Sequence, residues 1–154
     1  TAYDRRWMLI SEKKDLTVLR MADRGESMAQ CNIAAAKPGN GKRPSLSEFQ
    51  DEIRTALGKD FGQFVKASQS ATEAQYQVYR VAARGQVSGL PIEWIYYRIE
   101  DEHGRHLVVL FTVEGHLAER FQGNDQELVR AIRFLAPKPA ATAASAMQKA
   151  SSPR

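Results

Sequence analysis

The stretch from Gly89 to Glu114 constrains this chain more than any other. Gly89-Leu90-Pro91 marks a turn, and Ile92-Glu93-Trp94-Ile95-Tyr96-Tyr97-Arg98-Ile99 follows, rich in the aromatic and β-branched residues that suit a pleated surface. Asp101-Glu102-His103-Gly104-Arg105 has the composition of a turn, and His106 to Glu114 supplies the next strand. The two strands make an antiparallel hairpin. Both carry apolar residues at odd and even positions. A sheet covered on both sides accounts for that better than an open one.

The remaining segments extend the same sheet. Arg5-Arg6-Trp7-Met8-Leu9-Ile10, then Leu16 to Met21, then Ser27 to Ala36 read as three strands of a meander. Asp23-Arg24-Gly25-Glu26 supplies a glycine where a hairpin turn needs positive φ. Residues 37–44 form a loop by composition. A helix follows that Ser45 or Ser47 can cap, with Glu48 three residues after Ser45 completing a capping box and Leu46, Phe49, Ile53 and Leu57 on one stripe. Gly58 ends it. Phe61 to about Thr72 is extended. From Tyr76 to Val87 the period is two, with Tyr79, Val81, Ala83 and Val87 on one face and Arg80, Arg84 and Gln86 on the other. Leu117 to Phe121 and Asp125 to Phe134 have helical spacing.

The expected order is β-β-β-α-β-β-β-β-α, in an α+β fold with a mainly antiparallel sheet covered by helices on both faces. The 154 residues suffice for one domain, placed at 3–135. Residues 136–154 are rich in Ala, Ser and Pro and read as a disordered tail. The chain opens at Thr1 and enters a strand almost at once, as part of a longer protein would. Its compartment, extracytoplasmic or cytoplasmic, is not legible there.

This order, with the capped helix, the aromatic hairpin from Trp94-Ile95-Tyr96-Tyr97 to Leu107-Val108-Val109-Leu110-Phe111, and the closing Leu128 to Leu135 segment, resembles the PsbP-like and Ran-binding Mog-type proteins, which share an α/β/α sandwich. The resemblance implies a non-catalytic role. PsbP-type domains support assembly of the photosynthetic oxygen-evolving complex, Mog-type proteins bind a small GTPase, and many bacterial relatives are exported proteins of unknown role. No residue here matches a binding motif of that family one for one, so neither partner transfers.

Candidate chemistry is sparse. His103 and His106 with Glu102 could ligate one ion at a turn, the basis of a metal-dependent or hydrolytic alternative, but the spacing is no zinc signature. His116 falls about a strand length from His106. Cys31, the single cysteine, sits mid-strand as a small hydrophobe with no histidine near it in sequence. No cofactor signature appears: Pro38-Gly39-Asn40-Gly41-Lys42 lacks the Ser or Thr of a phosphate loop. Glu93 is expected to pair across strands with an arginine such as Arg80 or Arg98.

Function therefore rests on surfaces. Trp94 and Tyr96 share a strand face and Tyr97 takes the other. They are either core under the helices or, if one face is open, a partner or ligand groove with Arg80 and Arg98 at its margin. The expectation is a non-enzymatic binding or assembly module with a protein partner. The net charge of +4 is spread along the chain, which leaves nucleic-acid binding a weaker alternative. No run approaches the roughly 20 apolar residues of a membrane helix.

Overall fold

The computed structural model describes residues 5–36 and 42–135. The predicted tail, most of the glycine-rich loop and the first residues of the expected domain lie outside them. Seven strands run as β1 (Arg5–Lys13), β2 (Leu16–Asp23), β3 (Glu26–Ala36), β4 (Phe61–Ala71), β5 (Gln77–Val87), β6 (Leu90–Glu100) and β7 (His106–Glu114). They form one antiparallel sheet ordered β1-β2-β3-β7-β6-β5-β4. β1 and β4 are its edges, and the aromatic hairpin β6–β7 lies inside it.

Turn chemistry sets the register. Ser88 and Gly89 both take positive φ, 51° and 80°, which matches the two-residue hairpin turn whose twist suits flanking strands. Val87 then faces Leu90, and the ladder runs unbroken to Gln77 opposite Glu100. Arg80 is thereby set opposite Tyr97. At the far end Asp101 accepts the backbone N–H groups of His103 and Arg105 and the Arg105 guanidinium, so its own side chain closes the β6–β7 turn.

Three helices accompany the sheet: α1 (Leu46–Leu57), α2 (Ala118–Phe121) and α3 (Asn124–Ala131). The Ser45 hydroxyl accepts the Glu48 N–H at 3.1 Å, and the Glu48 carboxylate accepts the Ser45 N–H at 2.9 Å. That reciprocal cap starts α1. Phe49 and Ile53 of α1 pack on Tyr79, Val81, Ala83, Trp94 and Tyr96. On the opposite face Phe121 and Val129 join Cys31, Ile95, Tyr97, Val109 and Phe111.

These findings correct the expected α/β/α sandwich. Strands make up 55% of the described residues and helices, short 3-10 turns included, 24%, so the sheet is the body and the short helices cover only parts of it. Helical spacing over Asp125 to Phe134 predicts a longer closing helix than exists. The helix stops at Ala131 because tertiary contacts claim the residues beyond it: Ile132 is extended (ψ 134°), and the Phe134 N–H donates to the Tyr76 hydroxyl at 2.8 Å. The Phe134 ring also meets the Tyr76 ring edge-on at 5.0 Å. Leu135, expected on the apolar stripe, is exposed. On β1, the apolar Met8, Leu9 and Ile10 are exposed as well.

Phe111 is fully buried and touches the rings of Trp7, Tyr97 and Phe121 at centroid distances of 5.7–5.9 Å. Phe111→Ala is expected to destabilise the fold by about 3–5 kcal/mol. Urea unfolding followed by tryptophan fluorescence measures that loss, and a cost under about 1 kcal/mol would show the sheet's centre to be looser than this ring packing implies.

Candidate functional site

Asp125 stands in the first turn of α3 and is only 1% exposed. A carboxylate so deep needs a counter-charge and hydrogen bonds. Arg80 of β5 supplies the charge, its Nε lying 3.0 Å from Asp125 Oδ2. The same Nε donates to the Tyr97 hydroxyl oxygen at 3.1 Å, and that hydroxyl donates to Asp125 Oδ2 at 2.5 Å. Because Arg80 and Tyr97 are cross-strand partners on one sheet face, a single α3 carboxylate ties both to the helix above.

Burial first, and then the bond to Asp125, push the Tyr97 hydroxyl far above its ordinary range. It stays a neutral donor at all physiological pH. The Arg80 guanidinium is raised although burial works against it, because Asp125 and then Tyr97 stabilise its charge. Neither terminal Nη of Arg80 makes a hydrogen bond among the described residues.

Arg80 forms part of the wall of a cavity of about 480 Å³ between α3 and the β4–β5 margin. Ser68, Ser70 and Thr72 line its sheet side, and Gln126, Arg130 and Arg133 its helix side. Arg130 is exposed. Arg133 Nη1 donates to the carbonyls of Arg130 and Ile132 at 2.6 and 2.7 Å, which anchors that guanidinium on the last turn of α3. Arg80, Arg130 and Arg133 line the cavity with Glu73, and Asp125 offsets Arg80 from behind, so the remaining positive charge, carried by Arg130 and Arg133, favours anions.

The four residues expected at a partner surface do not converge. Arg80 faces α3, whereas Trp94, Tyr96 and Arg98 lie on the α1 face. Trp94 and Tyr96 are 5% and 9% exposed, packed under α1, and Arg98 is buried with Glu100 at 2.9 Å. Glu93 pairs with Arg84 rather than with Arg80 or Arg98. The hairpin turn carried the missing signal. A two-residue Ser88-Gly89 turn sets Arg80 opposite Tyr97, not beside Arg98. Nothing in the local pattern marked Asp125, which reads as an ordinary first-turn acid.

The histidine turn is more dispersed than a metal site requires. His103 is exposed beside Glu102 at 3.4 Å, and His116 stands by Glu114 at 3.5 Å on the far side of β7. His106 is half-buried, and burial, followed by the Arg98 charge, lowers its affinity for a proton. Among the described residues no three of His, Cys, Asp and Glu are grouped to hold a metal ion. Burial pushes the Cys31 thiol up to about 12, far from a reactive thiolate. No described helix is long and apolar enough to cross a membrane.

No family model matches the chain, and no characterised protein matches it by sequence. Among solved structures it is similar to a Pseudomonas aeruginosa protein of unknown function described as a "Putative Regulator", with a TM-score of 0.60 and 10% identity over 85% of this chain and 99% of that one. At that identity the likeness shows the fold alone. With the sheet-dominated architecture, it replaces the expected PsbP-like and Mog-type relationship.

The Tyr97 linkage has a definite sign. The folded phenol keeps its proton where an unfolded one, at the ordinary value of 10.0, has lost it. Its contribution is therefore complete below pH 10 and declines as the pH rises further. Tyr97→Phe should cost about 1 kcal/mol near neutral pH, from the lost hydroxyl bonds, and flatten the alkaline decline. Tyr96, also raised by burial, keeps some of that decline in place. Chemical denaturation at about pH 7 and above about pH 10 checks both parts; an unchanged alkaline slope would contradict them.

Proposed function

We propose that the chain is a non-catalytic recognition module that receives carboxylate or phosphate groups of a protein partner in the cavity under α3. One observation carries the reading: the least exposed carboxylate of the site is committed to holding Arg80 in the cavity wall, with neither Nη hydrogen-bonded among the described residues. A guanidinium held this way has already lost its rotamer freedom, so binding costs less ordering entropy. The hydroxyl lining supplies further donors, and Tyr97 is a fixed donor to Asp125 rather than a proton shuttle. A general acid or base would need a group exchanging protons near neutral pH within reach of a substrate. The polar groups here are arranged for positioning.

The test uses glutarate and inorganic phosphate as probes and backbone amide shifts as the readout. Saturable shifts should centre on Ser68, Thr72, Gln126 and Arg130. Arg130→Glu, at an exposed position whose side chain makes no bond among the described residues, should weaken binding about ten-fold, the worth of one charge-assisted contact. Shifts scattered over the surface, or unchanged affinity in Arg130→Glu, would show charge attraction without a site.

A further inference from the structure

We infer that the partner presents its carboxylates from an extended acidic segment that adds to the free edge of β4 as a further strand; this rests on the proposed recognition role of the cavity. β4 ends the sheet order, so one row of its backbone groups has no strand beside it among the described residues. The Thr72 N–H donates to the Tyr76 carbonyl at 3.0 Å, on the side of β5. Backbone groups alternate along a strand, so those of Ser70 and Ser68 also point toward β5, while those of Ala67, Gln69 and Ala71 point outward.

The two halves of this edge differ. Between Phe61 and Lys66 the pairing shifts register twice, and Lys66 is exposed on the margin. Bulges and an edge lysine are devices that discourage strand pairing. From Ala67 to Ala71 the ladder is regular and the side chains are small or polar. That regular half borders the cavity.

Charge complementarity selects the occupant. A strand added beyond β4 places alternate side chains on the α3 face, next to Ser68 and Ser70. Ser68 is paired with Arg80, and Arg130 of α3 and Arg133, just beyond its end, line the same space. Glutamates at those alternate positions would meet three guanidiniums. The intervening residues fall on the other face, beside Ala67, Gln69 and Ala71, where small apolar side chains suit. A second copy of this chain does not satisfy the site through its own β4, because Phe61–Ala71 carries Lys66 as its one charge and no acid. The mode is strand addition, with main-chain bonds for affinity and alternate side chains for specificity.

The experiment titrates a capped Glu-Val-Glu-Val-Glu peptide, flanked by neutral residues, into the full chain and follows amide exchange. The amides of Ala67, Gln69 and Ala71 should become protected, and a Gln-Val-Gln-Val-Gln peptide should bind at least about ten-fold more weakly. Gln69→Pro removes an outward donor while leaving the β5 ladder intact, as edge prolines do. It should weaken the peptide at least about ten-fold yet leave glutarate binding unchanged. Ala67→Pro, at an outward N–H that does not line the cavity, is the second variant should the first lose its native circular dichroism. Equal peptide affinity in the proline variants, or no edge protection, overturns strand addition while the cavity reading stands. Loss of both peptide and glutarate binding by the wild-type chain overturns the cavity reading as well. Concentration-dependent dimers abolished by Gln69→Pro would assign the edge to a second copy and overturn the acidic partner.

Discussion

A carboxylate removed from water must find a counter-charge, and Asp125 finds its own in Arg80, with Tyr97 completing the cluster. Much of the α3 side depends on that requirement. α3 has eight residues, begins at Gly123 without a side-chain cap, and buries only Val129 among its apolar residues. A helix that short gains little from its own hydrogen bonds. Its place is set by the buried ion pair, by Val129 in the core, and by the Phe134 backbone held on Tyr76. A parallel device acts at the other end of this layer, where Arg120 of α2 pairs with the buried Asp23 of β2. Two acid–arginine contacts therefore seat short helices on a sheet that outweighs them.

The cavity follows from the same geometry. The space between α3 and the sheet is lined by the small Ser68 and Ser70 of β4 and by Arg130 and Arg133 of the helix side. Arg80 is held in place by folding, through Asp125 and Tyr97, and under the proposed recognition role that ordering would not have to be repeated on binding. On the opposite face the same sheet closes over Trp94 and Tyr96 with α1, so the large aromatics serve the core there. The likeness to a bacterial protein of unknown function concerns this framework of strands and says nothing of the arginines.

Much of the strand layout was legible in the sequence. β-branched and aromatic runs, period-two alternation from Tyr76 to Val87, and glycines at Gly25 and Gly89 mark strands and turns by local chemistry. The capping box at Ser45 and Glu48 does the same for α1. The closing helix was overextended because periodicity cannot weigh a competing contact such as Phe134 on Tyr76. The sandwich expectation failed for a related reason: apolar residues on both strand faces require cover, but not that helices supply it as whole layers.

The candidate site was legible only in part. Arg80 stood out as a charge on a half-buried strand, yet it was grouped with Arg98, a residue of the opposite face. Strand pairing follows from a two-residue turn, so the Arg80–Tyr97 contact was within reach of the sequence. Asp125 was not, because 45 positions separate it from Arg80 and no local pattern reports that distance in space. The sequence by itself determined which segments pleat, where the chain reverses and how α1 begins, since those depend on neighbours along the chain. Only the tertiary structure decided which charge is buried, where α3 stops and which sheet edge borders the arginines, since each is settled by groups that meet through folding.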